Sequence, residues 1–183
     1  MSANAMQNAG TKWNIDPVHT AAEFKVRHMM ISNVKGQFSA VTGALIIAED
    51  VADSRVEVSI DTNSINTRDD QRDAHLKSAD FLDVEKFPTL SFASTRITRK
   101  GEDELAVEGD LTIHGVTRKV VFEVEGPSQP AKDPWGNVRI GWSARTKINR
   151  KDFGLTWNAT LEAGGLLVGD EVTITLDAQA VQA

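Results

Sequence analysis

The sequence predicts an all-β fold, an eight-stranded antiparallel up-and-down barrel with one helix inserted between the third and fourth strands. Apolar and polar residues alternate with period two in eight segments. Most connections between these segments are short, which makes consecutive strands antiparallel neighbours. Each segment has one apolar face and none is polar on both, a pattern best satisfied by closing the sheet so that no edge is left unpaired. A two-sheet sandwich is the alternative that the pattern leaves open.

Residues 1–10, MSANAMQNAG, are small and polar without periodicity and read as a flexible tail with a second candidate start at Met6. One domain is expected over 11–183, since 183 residues are about one ordinary core. In the first strand Ala22, Phe24, Val26 and His28 share the dry face, opposed by Glu23, Lys25 and Arg27. Phe38, Ala40, Ala44 and Ile46 are expected to face inward in the second. In the third, Val56, Val58 and Ile60 oppose Arg55, Glu57 and Ser59.

The alternation breaks at Thr67, where TRDD reads as a capping-box-like Thr67–Asp70 pair heading a helix over 67–78. A second helical turn is expected over 81–86. Strands resume over 89–98, with Leu90 and Phe92, and over 104–113, with Leu105, Val107, Leu111 and Ile113 inward. RKGED is a turn between them, and HGVT turns the chain into 118–125. Three of the five prolines then mark a loop, GPSQPAKDPWGN. The seventh strand alternates through Val138, Ile140, Trp142, Ala144, Thr146 and Ile148, and the last through Val172, Ile174, Leu176 and Ala178.

Composition removes several function classes. Twenty Lys and Arg against 26 Asp and Glu give a net charge of −6, which lacks the basic footprint of a nucleic-acid binder. Without cysteine there is no disulfide frame, thiolate metal site or thiol nucleophile. No apolar run approaches a transmembrane span, and the N-terminus has no signal-like h-region, so a cytoplasmic location is expected.

An eight-stranded barrel is either just filled by its own side chains or wide enough for one ligand. Small inward residues (Ala22, Ala40, Ala44, Gly109, Ala144, Ala178) alternate with Phe24, Phe38, Phe92, Phe122 and Trp142, which predicts a tall apolar lumen. Gly109 is expected to leave room beside Leu111. The predicted lining is Phe24, Val26, His28, Phe38, Val58, Phe92, Val107, Leu111, Ile113, Phe122, Ile140, Trp142 and Ile174.

WNIDPVHTAAEFKVRH, NTRDDQRDAHLKSADFLDVEKFPTLSF, GDLTIHGVTRKVVFEV, INRKDFGL and VGDEVTITLDA occur in this order between Trp13 and Ala178. Together they resemble the YceI family of lipocalin-like, polyisoprenoid-binding proteins. The resemblance implies an extended antiparallel barrel holding a polyprenyl chain, a homodimer, and no catalysis.

The four histidines, His19, His28, His75 and His114, show no metal-ligand spacing, so no metal site is expected. His28 reads either as an inward residue bonded to backbone or water, or as polar lining beside a ligand. Asp16 and His19 with Ser32 or Ser39 have the composition of a hydrolase triad, but no G-x-S-x-G elbow accompanies them, and no catalytic residue is expected. Arg68 and Arg72 read first as a solvated helix face, and second as a fork for a diphosphate head group at the barrel mouth. Trp13, Trp135 and Trp157 read as rim or interface aromatics. The preferred function is a non-catalytic carrier of a long isoprenoid lipid, such as a polyprenyl diphosphate, a polyprenyl quinone or a quinone precursor, without a cofactor. The alternative is an interaction module whose core is filled.

Overall fold

A computed structural model, which describes residues 10–183, shows eight antiparallel staves closed into a barrel. Residues 1–9 of the expected tail lie outside the described residues. The first stave is β1 (Thr11–Ile15) and β2 (Ala21–His28), separated by a 3-10 turn at Pro17–His19. It starts well before the first alternation in the sequence. The second is β3 (Ser32–Phe38) and β4 (Val41–Ile47); the third is β5 (Arg55–Asp61) and β6 (Ile65–Asn66), around a 3-10 turn at Thr62–Ser64. Helix α1 (Asp70–Lys77) follows. β7 (Thr89–Arg99), β8 (Glu104–Ile113) and β9 (Val116–Glu125) are the next staves. The short β10 (Ala131–Lys132) lies on the seventh stave, β11 (Val138–Asn149), and β12 (Val168–Gln182) is the eighth. Closure is made by β12, which pairs with β11 on one side and with β2 and β1 on the other.

The breaks in the second and third staves lie side by side: Asp61 N–H donates to the Ala40 carbonyl, and Ala40 N–H donates to the Ser64 hydroxyl. Two residues, 39–40, leave the ladder there, and the side-chain phase reverses. Val41, fully buried, and Leu45 face inward, paired with Ile60 and Val56. Ala44, expected inward, is paired with Asn14 and Glu57 on the outer face. The expected phase for Ala40 and Ala44 is therefore corrected, whereas Ile46, near the end of β4, does belong to the lumen lining. A pleated strand keeps its faces only while its ladder is continuous.

The helix is shorter than 67–78, and its cap differs. Asp69 is the N-cap, accepting from Arg72 N–H at 3.0 Å. Thr67 gives its N–H and hydroxyl to Asp73 instead of pairing with Asp70. Residues 81–86 form successive turns, not helix, because Asp83 is left-handed (φ 49°) and Phe81, Leu82 and Val84 are all buried at the barrel end. No helix among the described residues is long and apolar enough to cross a membrane.

Candidate functional site

The barrel encloses a cavity of about 660 Å³. Close-packed protein interiors have few voids larger than a water molecule, so a space this size is a lumen and not a packing defect. It falls within the roughly 300–1,000 Å³ of small-molecule sites. The middle is apolar. Phe24, Val26, Phe38, Val58 and Ile174 line it from one side of the barrel, and Phe92, Val107, Leu111, Ile113, Phe122 and Trp142 from the other. His28 lies at the lumen edge where β2 ends, paired with Ser32 and Val168.

Polar side chains gather at the two ends. At the α1 end the lining includes Arg27, His28, Asp69, Gln71, Arg72, His75 and Arg150; at the opposite end it includes Glu49, Ser54, Arg55 and Arg99. An amphipathic chain with a polar head can lie along this space with its carbons in the apolar middle.

Two predicted lining features are corrected. Ile140 is 3% exposed but packs with Trp13 and Ala180 in a separate cluster outside the lumen lining. It is in phase with Trp142, yet one pleat further along the stave lies beyond the cavity. Trp13, expected at a rim, is buried in this same cluster, and its indole Nε1 has no hydrogen-bond partner. The space above Gly109 is filled: a Cβ there would lie 2.6 Å from Phe92 Cζ, so the Phe92 ring occupies the room expected beside Leu111.

The two candidate head-group arginines separate. Arg68 is exposed, outside the lumen lining, because its left-handed backbone (φ 66°) turns the chain from β6 toward α1. Arg72 lines the lumen, with Nε on Thr67 Oγ1 at 2.9 Å and Nη2 on the Thr67 carbonyl at 2.7 Å.

Arg150 is a lumen residue that sequence reading missed. It is 3% exposed and donates to four main-chain carbonyls: Gly169 from Nε, Leu155 and Trp157 from Nη1, and Val168 from Nη2. Burial pushes its pKa down, opposed by the Asp170 carboxylate. Its neighbours Lys151 and Asp152 make the segment read as an exposed charged turn, so no local signal marks it. Trp157, read as a rim aromatic, lines the α1 end in edge-to-face contact with His75 at 4.6 Å, and Phe81 lies 5.3 Å from the same indole. Trp135 is 82% exposed.

The histidines lie on different elements. His19 meets Asp16 through Nδ1 at 2.8 Å, His75 meets Asp80 through Nε2 at 2.8 Å, and the His114 ring lies 4.7 Å from the Phe87 ring in a tilted arrangement. Ser32 pairs with His28 at the far end of β2 from His19, and among the described residues neither Ser32 nor Ser39 hydrogen-bonds His19, so the triad composition does not assemble. Asp16 instead joins an ionic cluster. Arg139 binds Asp16 at 2.6 Å and Asp133 at 2.7 Å, fastening the Pro17–His19 turn and the β10–β11 hairpin to the same stave. Both carboxyls are lowered from 3.8 to about 2, chiefly by the hydrogen bond from Arg139.

Residues 13–180 match the family model of the YceI-like domain. A UPF0312 protein of Vibrio cholerae is 40% identical over 140 residues, covering 75% of this chain and 72% of that protein. Another from Shewanella denitrificans is 39% identical over 138 residues, with the same coverage, 75% and 72%. Among solved structures, the Campylobacter jejuni YceI protein superposes with a TM-score of 0.71 at 29% identity, over 87% of this chain and 91% of that one. Burkholderia cenocepacia BcnA has the same fold, with a TM-score of 0.76 at 20% identity over 90% and 98% of the two chains. So does a polyisoprenoid binding domain from Saccharophagus degradans, with a TM-score of 0.68 at 16% identity over 93% and 98%. A family model covering nearly every stave, with curated relatives at 40% identity, leaves one conclusion: this chain belongs to the YceI-like domain family.

Proposed function

We propose that this protein is a non-catalytic binding and carrier protein for a long isoprenoid lipid, whose chain lies in the lumen and whose head group stays at the polar α1 end. The observation that carries the reading is the lumen itself, apolar along its middle and polar at its ends. A fold shared with a polyisoprenoid binding domain of Saccharophagus degradans agrees with it. The filled-core alternative is disfavoured by the size of the space.

The mechanism is solvation. Apolar side chains replace water around the chain, at about 0.8 kcal/mol for each buried CH2. The gross sum for a long prenyl chain passes the roughly −18 to −21 kcal/mol ceiling of non-covalent affinity, so ordering the flexible chain must offset much of it. Of the two candidate head-group arginines, Arg72, partly committed to Thr67, lies in the lumen lining and Arg68 does not, so the head-group role in this reading falls to Arg72. No bond-making step, metal or cofactor enters this reading. A homodimer is part of it, carried by family resemblance.

Organic extraction of the purified protein followed by mass spectrometry tests the proposal. The expected result is a prenyl lipid recovered in stoichiometric amount. An extract without prenyl lipid, together with no uptake of added polyprenyl diphosphate by the protein, would overturn it.

A further inference from the structure

The turn joining β2 to β3 is built against ordinary turn chemistry. His28 and Ser32 close the hairpin, Ile31 N–H returns to the His28 carbonyl, and the two central residues, Met29 and Met30, both have positive φ (52° and 61°). Such a turn favours Asn or Gly, because an L side chain with a larger Cβ substituent is strained there. Here it carries two methionines followed by isoleucine. All three are exposed: Met29 by 42%, Met30 by 60% and Ile31 by 74%. Leu166 of the neighbouring 159–167 loop adds a fourth exposed apolar side chain, and Met29 N–H bonds the Leu167 carbonyl at 2.7 Å, so the two loops form one tip.

The tip stands beside the lumen. Arg27 and His28 at the end of β2, and Leu167 and Val168 where the other loop enters β12, belong to the lumen lining at the α1 end. The hairpin segment that carries the tip has a charge opposite to that of the chain. Residues 24–36 contain Lys25, Arg27 and Lys35 and no acidic residue, in a protein of net charge −6. Lys25 and Lys35 are a direct cross-strand pair on the outer face, and among the described residues neither forms a salt bridge. Glu162 is the single acidic residue of the adjoining loop 159–167. Like charges placed directly opposite each other are destabilising. A strained apolar tip backed by unpaired cations is the composition of an element that enters the interface of an anionic bilayer, with apolar side chains among the acyl ends and cations at the head groups.

We propose that the Met29–Ile31 tip docks this protein on an anionic lipid surface and seats the α1 end of the lumen against the membrane. The proposal rests on the carrier reading only for its purpose, which is transfer of a lipid between bilayer and lumen without passage through water. A second copy docking through the same tip would bring the lysine pairs of two hairpins together, which disfavours self-association there.

The test is co-sedimentation of the full, lipid-extracted chain with phosphatidylcholine–phosphatidylglycerol vesicles and with phosphatidylcholine vesicles. Two variants are compared with the parent: Ile31→Glu, and Lys25→Gln with Lys35→Gln, none of which touches the lumen. The parent binds the anionic vesicles, and high salt weakens the binding. Ile31→Glu loses at least about tenfold in affinity. The lysine variant loses about fivefold per cation, equivalent to about 1 kcal/mol each, on anionic vesicles only. Both variants take up a polyprenyl lipid from detergent micelles as the parent does. If the parent binds anionic vesicles no better than Ile31→Glu, the docking proposal is overturned. It is equally overturned if light scattering shows Ile31→Glu converting a dimer to a monomer with vesicle binding unchanged. Failure of the carrier reading has a separate signature: no uptake from micelles by the parent, whatever its vesicle binding.

Discussion

The Phe24 ring covers Gly36, its cross-strand partner on β3, and occupies the space a Cβ would take there. The missing side chain thus sets how far the ring folds down against the sheet, and so how wide the lumen is at that level. Phe92 likewise covers Gly109 across β7 and β8, although Gly109 is its diagonal neighbour, opposite Ser94, and the direct partner of Phe92 is Leu111. Gly36→Ala is expected to push Phe24 into the lumen and to destabilise the barrel by about 1–3 kcal/mol through overpacking. Urea unfolding measures the second effect. An unchanged midpoint would mean that Phe24 has another well-packed position available.

Arg150 holds the 155–169 segment by its carbonyls, so its removal should be felt there first. Arg150→Met leaves four main-chain acceptors without their charged donor, and hydrogen bonds to charged groups are worth about 1.5–3 kcal/mol each before water replaces them. The expected outcome is a loss of at least about 2 kcal/mol in unfolding free energy. Amide exchange should speed up selectively over residues 155–168. Uniform acceleration across all staves would contradict a local fastening role.

The Arg139 cluster predicts a specific acid dependence. Asp16 and Asp133 have pKa values of about 2 in the folded protein against an ordinary 3.8, so their ionised forms favour the fold. That stability is fully present above the unfolded value and is lost as pH falls through the folded one. Arg139→Gln removes the partner of both carboxylates. The stability gap between parent and variant should therefore be constant from neutral pH down to about 4 and should close between about 4 and 2. Urea midpoints across that range measure it. A gap that persists unchanged to pH 2 would contradict the assignment.

Period-two alternation made the eight staves, their order and most of the lumen legible, because the pleat alone decides which face a side chain takes. What it left out depends on geometry between strands. In VTGALII both faces carry apolar residues, so the phase reversal at 39–40 has no sequence signature. Ile140 is in phase with Trp142, but its height relative to the lumen depends on barrel register. Gly109 looked like free space because the approach of Phe92 from the next stave is a matter of that same register. Arg150 stands in a charged turn that is ordinarily solvated; the path of the 155–169 segment, whose carbonyls it binds, is what encloses it.

The central claim is that the lumen is ligand space, and Leu176 is placed to test it. Its partners across the neighbouring staves are Ala22 and Ala144, so a larger ring at this position enters the cavity without displacing a large neighbour. Asp177→Trp, on the exposed face, is the control. The decisive measurement is titration of the lipid-extracted parent, Leu176→Trp and Asp177→Trp with a long-chain polyprenyl diphosphate, with thermal melting of all three. Saturable binding by the parent and Asp177→Trp, abolished in Leu176→Trp at a retained melting temperature, is the predicted result. No binding by the parent, or a sharp fall in melting temperature for Leu176→Trp with ligand binding unaffected, would contradict the claim.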